Sequence, residues 1–120
     1  MPTIMVIDDS NSMRALIKST LATAGHVVVE AVDGLDALDK LSRGKIDAFL
    51  CDVNMPRLDG LSLVKRLRAL PASKFTPILM LTTETDAEKK KIAKDAGATG
   101  WLVKPFQPDQ LLATIKKVLA

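Results

Sequence analysis

The chain has 120 residues, 48% of them hydrophobic, a formal net charge of +3, one cysteine and no tyrosine. That length is expected to form one domain, residues 1–120, burying about two-thirds of the surface its unfolded form exposes. The lone Cys51 fits a reducing cytoplasm rather than a disulfide scaffold, the short first apolar run excludes a signal peptide and membrane insertion, and three Phe with one Trp offer too few stacking platforms for nucleic acid.

The chain alternates strand-like and helix-like segments five times. Residues 3–7 (Thr3-Ile4-Met5-Val6-Ile7) read as the first strand. Residues 11–24 read as a helix with Met13, Leu16, Ile17, Thr20, Leu21 and Ala24 at helical spacing, capped by Ser10 or Ser12 and stopped at Gly25. The β-branched run at 27–31 predicts the second strand. Residues 34–42 predict a short helix with Leu35, Leu38 and Leu41 inward, ended by Gly44. Residues 47–51 are the third strand, followed by a loop, Asn54-Met55-Pro56-Arg57-Leu58-Asp59-Gly60, and a helix over 61–70 with Leu63, Val64, Leu67 and Leu70 inward. Residues 77–81 are the fourth strand, 85–96 the fourth helix, 99–103 the fifth strand and 108–119 the fifth helix, with Pro108 at its start. Strands one, three and four are nearly continuous apolar runs, as strands covered on both faces are. The result is an α/β fold, a doubly wound parallel sheet. The fourth helix, with only Ala87, Ile92, Ala93 and Ala96 as apolar content, is expected to dock least firmly.

The apolar runs end in one chemical set: Asp8-Asp9, Asp52, Thr82 and Lys104. Open α/β sheets place ligands and chemistry at the C-terminal edge of the strands. Three carboxylates side by side exceed what one Lys can neutralise, so a hard divalent metal is implied. A carboxylate can act as a nucleophile toward a phosphoryl group, and that transfer needs positioning and positive charge above all. The set is complete for phosphorylation of Asp52, with a cation and Lys104 as positive centres and Thr82 as a hydroxyl donor.

Four motifs carry a resemblance over the whole chain: Ile7-Asp8-Asp9-Ser10, Asp52-Val53-Asn54-Met55-Pro56 with Asp59-Gly60, Leu81-Thr82-Thr83, and Lys104-Pro105-Phe106. The sequence resembles the receiver domains of bacterial two-component response regulators, most closely the stand-alone chemotaxis (CheY-like) type. The resemblance implies a five-stranded flavodoxin-like sheet of order 2-1-3-4-5, the order the CheY fold itself exemplifies. It implies Asp52 as phosphoacceptor and Mg2+ as cofactor, held by Asp9, Asp8, Asp52 and the backbone carbonyl of Asn54. Lys104 then contacts the phosphoryl group, with a cis bond to Pro105, and Thr82 is the switch hydroxyl. A histidine kinase is the implied phosphodonor. The output is a change in the surface of the fourth helix, fifth strand and fifth helix, read by a downstream protein such as the flagellar motor switch. The implied molecule is a cytoplasmic monomer and a signalling protein, not an enzyme, although it assists its own phosphorylation and dephosphorylation.

Where that family type carries Tyr on the fifth strand, this chain has Trp101. Indole is larger and donates only through N–H. Two readings stand side by side: Trp101 reports activation, or it simply packs on the strand. Asn54 and Glu84, two residues after Asp52 and Thr82, flank the path of the hydrolytic water by the same resemblance and imply fast self-dephosphorylation. Residues 1–60 hold 6 basic and 9 acidic groups, residues 61–120 hold 11 and 5. Lys89, Lys90, Lys91 and Lys94 in the basic half read as a solvated helix face or as a dock for an acidic partner. His26 reads as surface and Cys51 as core. Alternatives are a phosphate sink, a regulator outside chemotaxis, a flavodoxin-like cofactor binder and a metal phosphohydrolase. The carboxylates at 8 and 9 oppose a flavin phosphate, which wants N–H donors. Ser10 in place of an Asp two residues after Asp8 opposes the phosphohydrolase.

Overall fold

A computed structural model describes residues 1–83 and 87–120, and for Lys89 the backbone alone. The strands are β1 Thr3–Ile7, β2 Val27–Ala31, β3 Ala48–Asp52, β4 Ile78–Thr82 and β5 Gly100–Val103. The helices are α1 Asn11–Thr23, α2 Gly34–Lys40, α3 Gly60–Ala69, α4 Ala87–Ala96 and α5 Pro108–Leu119. All strand pairs are parallel, in the order β2-β1-β3-β4-β5.

Period-two alternation divides the buried strand residues between two faces. Met5, Ile7, Phe49, Cys51, Ile78 and Met80 face one way and pack with Ala37 of α2, Leu63, Val64 and Leu67 of α3, and Ala93 of α4. Ile4, Val6, Ala48, Leu50, Leu79 and Leu81 face the other way and pack with Ile17 and Leu21 of α1 and Leu111 and Ile115 of α5. Every residue of β3 and β4 is buried, whereas the edge strand β5 is half-buried throughout. That is why the central strands carry unbroken apolar runs.

Local chemistry sets the helix starts. Ser10 Oγ accepts from Met13 N at 3.2 Å, Asp33 from Asp36 N at 2.9 Å and Asp59 from Ser62 N at 2.8 Å. Gln110 reaches back to Gln107 N at 2.7 Å before α5. Gly25 (φ 91°) lies one residue beyond the cap of α1 in a conformation L-residues rarely adopt, and the amide of His26 closes back on Leu21.

Several expected details shift. Asp52 and Thr82 are the last residues of their strands, not the residues after them, because a neighbouring strand still pairs beside each. Residues 41–43 tighten into a 3-10 turn instead of continuing α2. Leu35, expected inward, is 41% exposed, and α2 buries Gly34 and Ala37 in its place. Leu16 and Leu70 are exposed too. Pro77 precedes β4, its carbonyl accepting from Phe49 N. The expected start of the fourth helix at residue 85 lies outside the described residues. His26 is half-buried rather than on the surface, and its Nδ1 has no partner among the described residues. Ile92 is 45% exposed, so Ala93 and half-buried Ala96 carry the docking of α4. At about 25 cal/mol per Å2 two alanines contribute little, which is why α4 is lightly held.

At the N-terminal end of the sheet a single side chain joins three segments. Arg68 on α3 donates from Nε to the Gly97 carbonyl (2.9 Å) and from Nη1 to the carbonyls of Ser73 (2.9 Å) and Thr76 (2.7 Å). Burial lowers its pKa. The clamp ties the α3–β4 loop to the turn between α4 and β5. Arg68→Ala is expected to lower unfolding free energy by about 2–3 kcal/mol, the scale of losing charge-assisted hydrogen bonds in a half-buried network. Urea denaturation measures it.

Candidate functional site

The order β2-β1-β3 places the ends of β1 and β3 side by side, with the chain leaving β1 and β3 toward opposite faces of the sheet. This is the switch point where open α/β sheets bind ligands. Asp8 and Asp9 follow β1, and Asp52 closes β3. One carboxylate oxygen from each lies within 4.8 Å of the others. Asp8 is fully buried, Asp52 is 7% exposed, and Asp9 opens to solvent.

Asp8 is held from several sides. Its Oδ1 accepts from Ser10 N at 2.9 Å and its Oδ2 from Lys104 Nζ at 3.0 Å. Its own amide donates to the Ala31 carbonyl, and its carbonyl accepts from Arg14 Nη1 at 2.6 Å. Asp52 is less satisfied. Lys104 Nζ stands 3.6 Å from Oδ2, and the Asn54 amide reaches Oδ1 at a long 3.4 Å. Burial pushes the Asp52 carboxyl above its ordinary pKa. Asp8 and Asp9 add to the rise, while Lys104 and the Asn54 amide oppose it.

Lys104 comes from the residue after β5, and its backbone N donates to the Thr82 carbonyl at 2.7 Å. The Lys104–Pro105 peptide bond is cis. Thr82 is buried at the end of β4, one strand from Asp52. Trp101 is half-buried on β5, opposite Met80, with its Nε1 buried and without a partner among the described residues. Two grooves flank it, of about 170 Å3 toward α4 and about 460 Å3 toward α5. Asn54 is exposed, and Glu84 lies outside the described residues. Gly60 starts α3 so close to β3 that a Cβ there would overlap the Asp52 carbonyl oxygen, which explains the glycine. Lys90, Lys91 and Lys94 are exposed on α4.

Three contributors escaped the sequence reading. Arg14 is 8% exposed and props the Asp8 backbone. Its signal was a charge on the same stripe as Ile17 and Leu21. Arg57 and Asp33 pair across two loops, Nε to Oδ2 at 2.9 Å. Asp33-Gly34 carried a capping signal, but nothing in the sequence joined it to Arg57.

The donor set suits a hard cation. All three ligands are carboxylates, Lys104 balances one charge, and the exposed side of Asp9 leaves an approach from solvent. Across the described residues no helix is long and apolar enough to cross a membrane.

The family model described as a response regulator receiver domain matches residues 4–116. A Campylobacter jejuni relative named as a chemotaxis protein CheY homolog is 40% identical over 118 residues, covering 97% of this chain and 91% of its own. The solved structure of Vibrio cholerae chemotaxis protein CheY4 is 50% identical, with a TM-score of 0.96 over 99% of both chains. The receiver domain of the Pseudomonas aeruginosa sensor histidine kinase PA1611, solved with a magnesium ion in its active-site cleft, is 27% identical, with a TM-score of 0.90 over 98% of this chain and 97% of its own.

The raised pKa of Asp52 has a signed consequence. Its native carboxyl binds a proton more readily than the unfolded one, so stability from this residue is full below the ordinary carboxylate pKa. It is lost as pH rises through the native value. In chelator at neutral pH, Asp52→Asn is expected to melt at a higher temperature than the parent protein. The advantage should vanish in acid, where both forms are neutral at this position. Thermal denaturation across pH checks it.

Proposed function

The chain belongs to the response regulator receiver family and is a phosphorylation-activated module of two-component signalling of the CheY-like type; on that premise we propose that Asp52 is the residue that takes the phosphoryl group. The observation that carries this reading is the buried, under-satisfied Asp52 carboxylate, 3.6 Å from Lys104 and within 4.8 Å of Asp8 and Asp9. Residues 1–120 act as a single receiver domain in this reading. Mg2+ is the cation, held by Asp8, Asp9, Asp52 and the backbone carbonyl of Asn54. When bound it supplies positive charge to the phosphoryl oxygens.

The chain's own residues do the rest. An Asp52 carboxylate oxygen forms a bond to phosphorus as the P–N bond of a phosphohistidine on the kinase breaks, the electron pair leaving on the imidazole nitrogen. Lys104 stays anchored to Asp8 and turns its remaining donors to the transferred group. The Thr82 hydroxyl donates to a phosphoryl oxygen, which favours one arrangement of the segment after β4 and of lightly held α4. Phosphate must bind the two arrangements unequally to shift their populations. Asn54 and Glu84 tune how soon water removes the group. No substrate is turned over; the product is a changed α4–β5–α5 surface for a downstream protein in the cytoplasm. The names of the Campylobacter and Vibrio relatives support chemotaxis as the pathway; in this reading the target is a flagellar motor switch. Exposed Lys90, Lys91 and Lys94 suit an acidic partner there.

Incubation with Mg2+ and acetyl phosphate is expected to add one base-labile phosphoryl group, seen by intact-protein mass spectrometry and absent in Asp52→Asn. Equal labelling of that variant would assign the acceptor elsewhere. The indole of Trp101, without a hydrogen-bond partner among the described residues and set between two grooves, supports a part for it in the switch. Beryllofluoride with Mg2+ is expected to change the fluorescence of this only tryptophan; an unchanged spectrum at proven saturation removes Trp101 from the switch.

A further inference from the structure

The loop between β3 and α3 carries Asn54 and runs beside the acidic cluster. It contains Arg57, at φ 68°, the one non-glycine residue with positive φ among the described residues. Side chains larger than glycine seldom hold that conformation unless the surroundings impose it. Here the surroundings are visible. Arg57 Nε stands 2.9 Å from Asp33 Oδ2, and Nη2 donates to Oδ1 at 3.2 Å, a two-point fork. Asp33 is 6% exposed and also accepts from Asp36 N at the start of α2. Beside the fork, Leu58 occupies the space a side chain at Gly34 would need, its Cβ 2.8 Å from that point. Two loops are thus interlocked by one ion pair and one apolar contact.

The topology says what they enclose. Asp33 follows β2 and Arg57 precedes α3 after β3, while β1 lies between those strands. The fork therefore spans the end of β1, where Asp8 and Asp9 stand. A strained residue kept in place by a buried carboxylate, on the loop next to three cation-seeking carboxylates, fixes the position of that loop.

We propose that the Arg57–Asp33 fork is a latch across the end of β1 that holds the Asn54 loop in place for divalent-cation binding, which makes Arg57 a positioning residue. The inference rests on the reading of Asp8, Asp9 and Asp52 as a Mg2+ site. It has a sign that simple electrostatics lacks. Arg57 carries a positive charge near a cation site, so removing it should tighten Mg2+ binding if charge were its whole effect. The latch requires the opposite. Glycine at 57 relieves the backbone but leaves the buried Asp33 carboxylate without its partner, so the thermal midpoint reads both effects together while Mg2+ affinity and loop exchange read the position of the loop.

The experiment is calorimetric titration of Mg2+ into the full chain, with thermal midpoints in chelator and amide exchange over residues 54–58. Arg57→Gly is expected to stay folded in chelator, to weaken Mg2+ about tenfold, the scale for partners that orient a metal ligand, and to speed exchange in the loop. Asp33→Asn, which keeps an oxygen to cap α2, should weaken Mg2+ similarly, and the double variant no further than either single one. Unchanged or tighter binding in Arg57→Gly, or losses that add in the double variant, overturn the latch. If the parent protein and Asp9→Asn both give no heat with Mg2+, it is the metal-site reading that fails, and the latch falls with it.

Discussion

The repulsion among Asp8, Asp9 and Asp52 is the constraint around which the rest of the molecule is arranged. Three carboxylates meet at the ends of two adjacent strands, one of them fully buried. Isolated, a buried carboxylate is strongly disfavoured. Asp8 is tolerated because each of its two oxygens accepts a hydrogen bond, one from an amide and one from an ammonium. Asp52 has fewer close partners, and burial, with Asp8 and Asp9 beside it, raises its pKa. The same deficit that destabilises Asp52 makes it receptive to a cation and to a group that spreads its charge. Stability is given up at the position where chemistry is needed.

Lys104 shows how that tension reaches the far edge of the sheet. Its ammonium is closer to Asp8 than to Asp52, at 3.0 and 3.6 Å, so Asp8 anchors it. Its backbone amide is bonded to the Thr82 carbonyl, and Trp101 lies three residues earlier, on β5. A change at Asp52 therefore meets β4 and β5 through short, rigid connections. The element beyond them, α4, is fixed mostly by alanines. A rigid path ending at a weakly docked helix is the arrangement in which a local charge change can alter a surface.

Much of this was legible because the sheet is buried on both faces. Continuous apolar runs marked β1, β3 and β4, and the polar residues at their ends marked the site without any knowledge of strand order. Boundaries were less legible. Asp52 and Thr82 sit inside their strands because a parallel neighbour still pairs beside them, and a single chain's hydropathy does not report a neighbour. Leu35 misled because α2 is short and packs through Gly34 and Ala37, so leucine spacing overstated its inward face. The contributions of arginines were the least legible. Arg68 works through backbone carbonyls, which every residue has, and Arg57 meets Asp33 across 24 positions of sequence. Nothing periodic links such pairs.

The arginines also divide the labour between the two ends of the sheet. At the N-terminal end, Arg68 gathers carbonyl oxygens from the α3–β4 loop and from the turn after α4, far from the carboxylate cluster. At the C-terminal end, Arg14 and Arg57 bind the backbone and loop around the carboxylates without touching the carboxylates of the cluster in any described contact. Guanidinium suits both tasks because it is always charged and donates in a fixed fork. Placing an arginine directly on Asp52 would satisfy it and silence it. Keeping arginine one step away, and leaving the cluster to a single lysine, keeps the site rigid but short of positive charge, so its carboxylates retain an unmet demand for a cation.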